Sequence, residues 1–205
     1  MTVFRYLHRS EAYQYREHLL RLDAETRQQR FSAATSDNTI RRYCDEIDWG
    51  LIRIIGHFHD GILRGAAEIR YEPRLLPGEA ELAFSVEKPF QSGGVGTELM
   101  ARALVNLRNR GVSRGHIVCL LANRRMQKLA MKYHANVRAY SGDVFMTIDV
   151  PHGDLASLLS ECADAYVGWV NMGLDMALQL PSPVSLLAGV APPSSPSDNR
   201  SAQGR

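Results

Sequence analysis

Gln91-Ser-Gly-Gly-Val-Gly96-Thr97 joins a strand-like run to a strongly helical one, and the reading of this joint decides the fold. Three glycines in four positions at a helix start leave backbone N–H groups that no Cβ obstructs. The helix dipole adds positive potential at the same spot, so the loop suits a pyrophosphate. Two common phosphate loops are excluded by the letters themselves. A Walker A loop needs a Lys after its last glycine, but Thr97, Glu98 and Leu99 follow Gly96. A dinucleotide fingerprint counted from Gly94 needs a third glycine where Leu99 stands. What remains is Gln-x-x-Gly-x-Gly, with its glycines at 94 and 96.

Working outward, Glu79 to Val86 alternates Ala80, Leu82, Phe84 and Val86 against Glu79, Glu81, Ala83 and Ser85, the period of a strand. After the loop, Leu99, Ala103 and Leu107 mark the apolar face of a helix from Val95 to about Arg110. Upstream, Thr2–Leu7 reads as a short strand, Glu11 to Leu22 as a helix, and Asp37 starts another with Ile40, Tyr43, Cys44 and Ile47 on one face. Leu51–Phe58 and Ile62–Tyr71 flank His59-Asp60-Gly61, a hairpin signal. Downstream come a strand at His116–Leu121, a helix from Asn123 to His134, and a hairpin of Val137–Tyr140 and Val144–Val150 around Ser141-Gly142-Asp143. The order is α+β. A long amphipathic helix is expected from Asp154 to about Leu180, with Leu158, Leu159, Tyr166 and Val170 on its apolar stripe and Glu161 on its polar side, the stripe covering the domain or meeting a second copy in a homodimer. Pro181 to Arg205 reads as a Pro/Ser-rich flexible tail.

Composition bounds the function. The chain has 205 residues, 45% apolar and 22% charged, enough for one core domain plus an appendage. A net charge of +2 without a basic stripe argues against nucleic acid as the main partner. Three scattered cysteines form no disulfide framework and no zinc pattern, which fits a reducing cytoplasm. The N-terminus does not read as a signal peptide, and no run of about 18 apolar residues offers a membrane span. His57-x-His59-Asp60 at a hairpin end reads as turn chemistry rather than a metal site.

The element order, with Ala80-Glu-Leu-Ala-Phe-Ser-Val86 leading into Gln91-Ser-Gly-Gly-Val-Gly96, resembles the GCN5-related N-acetyltransferase (GNAT) superfamily over about residues 1–150. Leu22 to Phe31, Ala80 to Ala83 and Asn123-Arg-Arg-Met126 are most similar to bacterial protein-lysine acetyltransferase (Pat-like) catalytic domains. The resemblance implies a GNAT fold, a mixed and mostly antiparallel sheet flanked by helices, with acetyl-CoA as cosubstrate and no metal. It implies an N-acetyltransferase acting on a primary amine, a protein lysine or a small molecule; the alternative is a non-catalytic acyl-CoA-binding module. Many members carry a Tyr seven residues after the Asn; Ala130 stands there, and His134-Ala135 replaces the usual Gly-Phe.

Carried over by position, the resemblance places Ser92, Gly93, Gly94, Val95, Gly96 and the Thr97 hydroxyl at the diphosphate. Phe84, Ser85 and Val86 border the pantetheine, with one of their N–H groups polarising the thioester carbonyl. Gln91 anchors the motif and Asn123 touches the pantetheine arm. A free lysine amine has a pKa of about 10.4, so a positioned base aids attack. Glu81 is that base in this reading, acting directly or through water, its pKa raised by burial in the cleft; Glu79 and Glu68 are fallbacks. Tyr133 is the candidate acid for the departing thiolate, with water as its rival. Arg124 and Arg125 reach either the 3′-phosphate of coenzyme A or solvent.

Overall fold

The computed structural model describes residues 2–72, 78–151, 153, 158, 159, 161, 162, 166 and 170. Seven strands form one sheet: β1 (Thr2–Tyr6), β2 (Ile52–His59), β3 (Ile62–Tyr71), β4 (Glu79–Val86), β5 (Arg114–Leu120), β6 (Asn136–Tyr140) and β7 (Asp143–Asp149), in the order β1-β2-β3-β4-β5-β7-β6. Every pairing is antiparallel except β4 with β5. Helices α1 (Ala12–Arg21), α2 (Ala24–Phe31) and α3 (Asp37–Asp45) cover one face; α4 (Val95–Asn109) and α5 (Arg124–Met131) cover the other. Leu99, Met100, Ala103 and Leu107 of α4 bury against Ala67, Ile69, Ala80 and Leu82, and Tyr15, Leu19 and Ile40 close the opposite core.

Both hairpins form as their turn residues require. Asp60 and Gly61 take φ of 50° and 74°, and Ser141 and Gly142 take 50° and 91°, the left-handed pairs of two-residue turns matched to strand twist. Helix α2 is an element that hydrophobic periodicity misses. Its sequence, Ala-Glu-Thr-Arg-Gln-Gln-Arg-Phe, buries only Thr26, and it is fixed instead by Asp23, whose side chain accepts from the Thr26 N–H at its start. The alternation of β4 also breaks at Ser85, which is buried on the expected polar face, where His18 of α1 reaches its hydroxyl.

The parallel pairing of β4 with β5 runs only through Glu79↔Arg114, Ala80↔Gly115 and Glu81↔His116, whereas β3 pairs β4 as far as Val86. Beyond Glu81 the two strands diverge, and residues 82–86 have no strand partner on that side among the described residues. The divergence is set just upstream of the glycine loop.

Most of the expected C-terminal helix and the whole of residues 171–205 lie outside the described residues. Leu158, Leu159, Glu161, Cys162, Tyr166 and Val170 are helical. The expected packing is inverted there. Leu158, Leu159, Tyr166 and Val170 are exposed, while Glu161, from the expected polar side, accepts from Tyr6, Asn106, Asn109 and Arg110. Among the described residues of this segment, the contact to the domain is this polar anchor. No helix among the described residues is long and apolar enough to cross a membrane.

Candidate active site

A cavity of about 450 Å³ opens where β4 and β5 separate, a size suited to a small organic ligand. Its wall gathers Phe84, Ser85 and Val86 from β4, Gln91, Ser92, Gly94, Gly96 and Thr97 from the loop and α4, and Asn123 at the start of α5. All nine are positions that the loop motif and the family resemblance assign to a cofactor. Gly93 and Val95 belong to the same turn but not to the wall; Val95 packs into the core instead. The wall also holds Thr26, Gln29 and Arg30 of α2 and Arg125, Met126, Lys128, Leu129 and Lys132 of or beside α5, which the sequence reading did not assign to it, apart from Arg125. The signal for α5 was its spacing: Arg125, Lys128, Leu129 and Lys132 recur on one helical face.

The loop is built by local rules. Gly94 takes φ of 85° at the cap of α4, and Ser92 takes 66°, a conformation costing a non-glycine residue about 1–2 kcal/mol. A Cβ on Gly94 would meet no protein atom within 4 Å, and one on Gly96 would make only ordinary contact with Leu129 at 3.6 Å. Packing therefore does not demand these glycines. The left-handed turn demands Gly94, and the open space at both is the cavity side of the loop. Gln91 pins the loop to the strand end, its Nε2 donating to the Val86 carbonyl at 2.9 Å and to Thr26 Oγ1 at 3.3 Å, while Arg125 donates to its Oε1. Asn123 Oδ1 accepts from the Met126 N–H at 3.1 Å and so caps α5, in addition to facing the cavity.

The charge on the wall is one-sided. Arg30, Arg125, Lys128 and Lys132 line it, with no carboxylate among the described residues of the wall. An adjoining cleft of about 250 Å³ shares Gln91, Asn123 and Arg125 and adds Lys88 and Arg124 beside Glu25. Arginine forks and a helix N-terminus converging on one space suit a polyanion. Arg30 is itself held by Glu68, which is 3% exposed and also accepts from Tyr15 and Tyr43. Burial pushes the Glu68 carboxyl up, but Arg30 and the two tyrosines outweigh it and the net direction is down. That carboxylate is ionised and saturated with donors, which suits a structural pin better than a base.

Two expected residues sit elsewhere. Glu81 lies on the α1–α3 face of β4, beside Arg70 and His116 in register, but it is exposed and outside the wall. The expected burial fails because nothing among the described residues covers that stretch of β4. Tyr133 is half-buried against the core, and its hydroxyl donates to the Thr97 carbonyl at 3.0 Å rather than entering the cavity. Burial, with Glu98 nearby, raises its pKa. Glu79 pairs with His116 at 3.0 Å and Arg114 at 2.9 Å. No group of three or more His, Cys, Asp or Glu among the described residues is placed to hold a metal ion.

The family model described as Acetyltransferase (GNAT) family matches residues 14–135, more than half of the chain and the whole of the cavity wall. The chain belongs to this family. The GNAT domain of PAT from S. lividans superposes with a TM-score of 0.62 at 21% identity, covering 71% of this chain and 89% of that one. The ribosomal-protein-S18-alanine N-acetyltransferase of Escherichia coli gives 0.57 at 16% identity, over 76% and 97% of the two chains. The yncA protein of Salmonella typhimurium, solved with its cofactor acetyl-CoA, gives 0.55 at 14%, over 75% and 96%. At these identities the likeness speaks for the fold. No curated protein matches the chain significantly.

Proposed function

We propose that this GNAT domain binds acetyl-CoA in the cavity and transfers the acetyl group directly to a primary amine, a protein lysine or a small-molecule amine. One observation carries the proposal: the β4–β5 pairing stops at Glu81↔His116, and the opening it leaves is capped by the Gly94–Gly96 loop and lined by Arg125, Lys128 and Lys132. The N–H groups of residues 92–96 and the Thr97 hydroxyl hold the diphosphate, the unpaired edge of residues 84–86 receives the pantetheine, and Arg125, Lys128 and Lys132 meet the remaining phosphate charge. Support for the ligand comes from a neighbour solved with acetyl-CoA. Glu81, exposed on the open face, takes the ammonium proton of the acceptor through water, so that the amine arrives neutral.

A second reading, acyl-CoA binding without transfer, is favoured by the exposure of Glu81 and its absence from the wall. Thermal-shift titration and thiol release separate the two. Acetyl-CoA at 100 times its Kd is expected to add about 2.7 kcal/mol of stability, and an amine panel is expected to release free coenzyme A. Glu81→Gln is expected to keep the thermal shift and cut turnover by about 10²-fold. A wild type that binds but releases no thiol with any amine or peptide supports the binding module. A wild type that shows no shift at all contradicts both.

A further inference from the structure

Ser85 of the cavity wall is backed by buried polar side chains, His18 of α1 and Glu87 just after β4, that have no part in the site described so far. Ser85, in the cavity wall, has its Oγ 2.9 Å from His18 Nε2. His18 is 0% exposed, and its Nδ1 lies 3.2 Å from Glu87 Oε1. Glu87 accepts in turn from Arg21 and from Arg64, each at 2.9 Å. Packing alone gives no reason for this arrangement. A buried imidazole and hydroxyl carry a desolvation cost that an aliphatic pair of similar volume would avoid.

The direction of each hydrogen bond follows from the chemistry. Burial pushes Glu87 up, but His18, Arg64 and Arg21 donate to it and bring its pKa down to about 2. A carboxylate can only accept, so the proton between Glu87 and His18 belongs to Nδ1. Burial holds His18 below its ordinary value in spite of Glu87, so the ring is neutral and Nε2 bears a lone pair. Ser85 then donates its hydroxyl proton to Nε2. The capacity its Oγ has left to offer the cavity is that of an acceptor.

We propose that Ser85, backed by His18 and Glu87, is the proton relay of the acyl transfer. As a neutral amine attacks the thioester carbonyl, Ser85 Oγ takes the nitrogen's proton and passes its own to His18 Nε2. The C–N bond forms, the C–S bond breaks, and the same path run backwards delivers the proton to the departing sulfur. One proton has moved from nitrogen to sulfur, and Ser85 and His18 end as they began. Ser85 is the catalytic residue here; His18 and Glu87 act through it. The relay complements Glu81, which handles the earlier ammonium proton, and it fills the acid role for which Tyr133 is misplaced.

The surroundings of His18 fit a transient carrier. Arg21 on its own helix, Arg30 from α2 and His57 from β2 face it with positive or neutral charge, and Glu87, itself held by Arg64 from β3, is the carboxylate opposing them. A standing imidazolium is disfavoured, so the resting ring stays ready to accept.

This inference rests on the transferase reading, and two measurements test it. Ser85→Ala is expected to lower kcat by about 10²-fold while leaving the Kd for acetyl-CoA unchanged. Nitrogen-15 NMR of the wild-type protein reports His18 without any substitution, and a neutral ring protonated at Nδ1 is expected near neutral pH. Turnover by Ser85→Ala within about twofold of wild type, or a joint loss of kcat and acetyl-CoA affinity, overturns the relay and leaves the transferase reading intact. A His18 protonated at Nε2, or an imidazolium at rest, also overturns it. A wild type that does not bind acetyl-CoA removes the transferase reading and the relay with it.

Discussion

Gly96→Ala separates a glycine kept for a ligand from one kept for packing. Gly96 is the second residue of α4, and an added Cβ would sit 3.6 Å from Leu129 Cδ2, an ordinary contact. Ala is favoured over Gly in a helix interior by about 1 kcal/mol. In the first turn roughly half of that is expected, which raises the Tm of the unliganded protein by about 1–2 °C. The new methyl nevertheless stands in the cavity wall, where it holds a diphosphate oxygen away from the helix-start amides. Losing one hydrogen bond to a charged group costs about 1.5–3 kcal/mol, so the Kd for acetyl-CoA is expected to rise by about 10- to 150-fold. Isothermal titration gives the affinity and a thermal scan of the apo variant gives the stability. An unchanged Kd refutes the placement of the diphosphate. A Tm lowered by several degrees shows instead that the loop's glycines serve the fold. Gly94→Ala cannot make this distinction, because its φ of 85° adds about 1–2 kcal/mol of strain to either reading.

Other perturbations follow from the buried charges. Glu87 has its pKa depressed to about 2 in the folded protein, so its stabilisation is full above the ordinary carboxylate value and is lost as pH falls from about 4.5 toward 2. The linkage amounts to about 3 kcal/mol, and urea titrations across that window are expected to show a slope that Glu87→Gln flattens. Glu68→Ala leaves Arg30 buried without its carboxylate, an expected loss of about 3–5 kcal/mol in the urea midpoint analysis. Tyr133→Phe is expected to cost about 1 kcal/mol through the lost bond to Thr97 and to leave kcat within about twofold; a large drop in kcat would return the hydroxyl to the chemistry.

The parts of this molecule that obey local rules were readable from the chain. Asp60-Gly61 and Ser141-Gly142 specify their turns through φ alone, and Gly94 and Gly96 mark a helix start that needs bare amides. The alternation of β4 located the strand, the loop motif located Gln91, Ser92, Gly94, Gly96 and Thr97 of the wall, and the family resemblance added Phe84, Ser85, Val86 and Asn123. What escaped depends on contacts between distant segments. Helix α2 has almost no apolar face, so nothing in its period announces that it overlies β4 and supplies Thr26, Gln29 and Arg30. His18 and Glu87 lie 69 positions apart and meet only because α1 packs on β3, the neighbour of β4. Glu81 was expected to be buried, and its exposure depends on which segment covers β4. Glu161 likewise looked like solvent-facing charge until the Tyr6–Asn106 cluster supplied its donors.

The most direct test of the account is a crystal structure with coenzyme A. The diphosphate is expected on the amides of residues 92–96 and the pantetheine along the unpaired edge of residues 84–86. A loop left empty, or a ligand bound elsewhere with β4 and β5 closed together beyond Glu81, would contradict it.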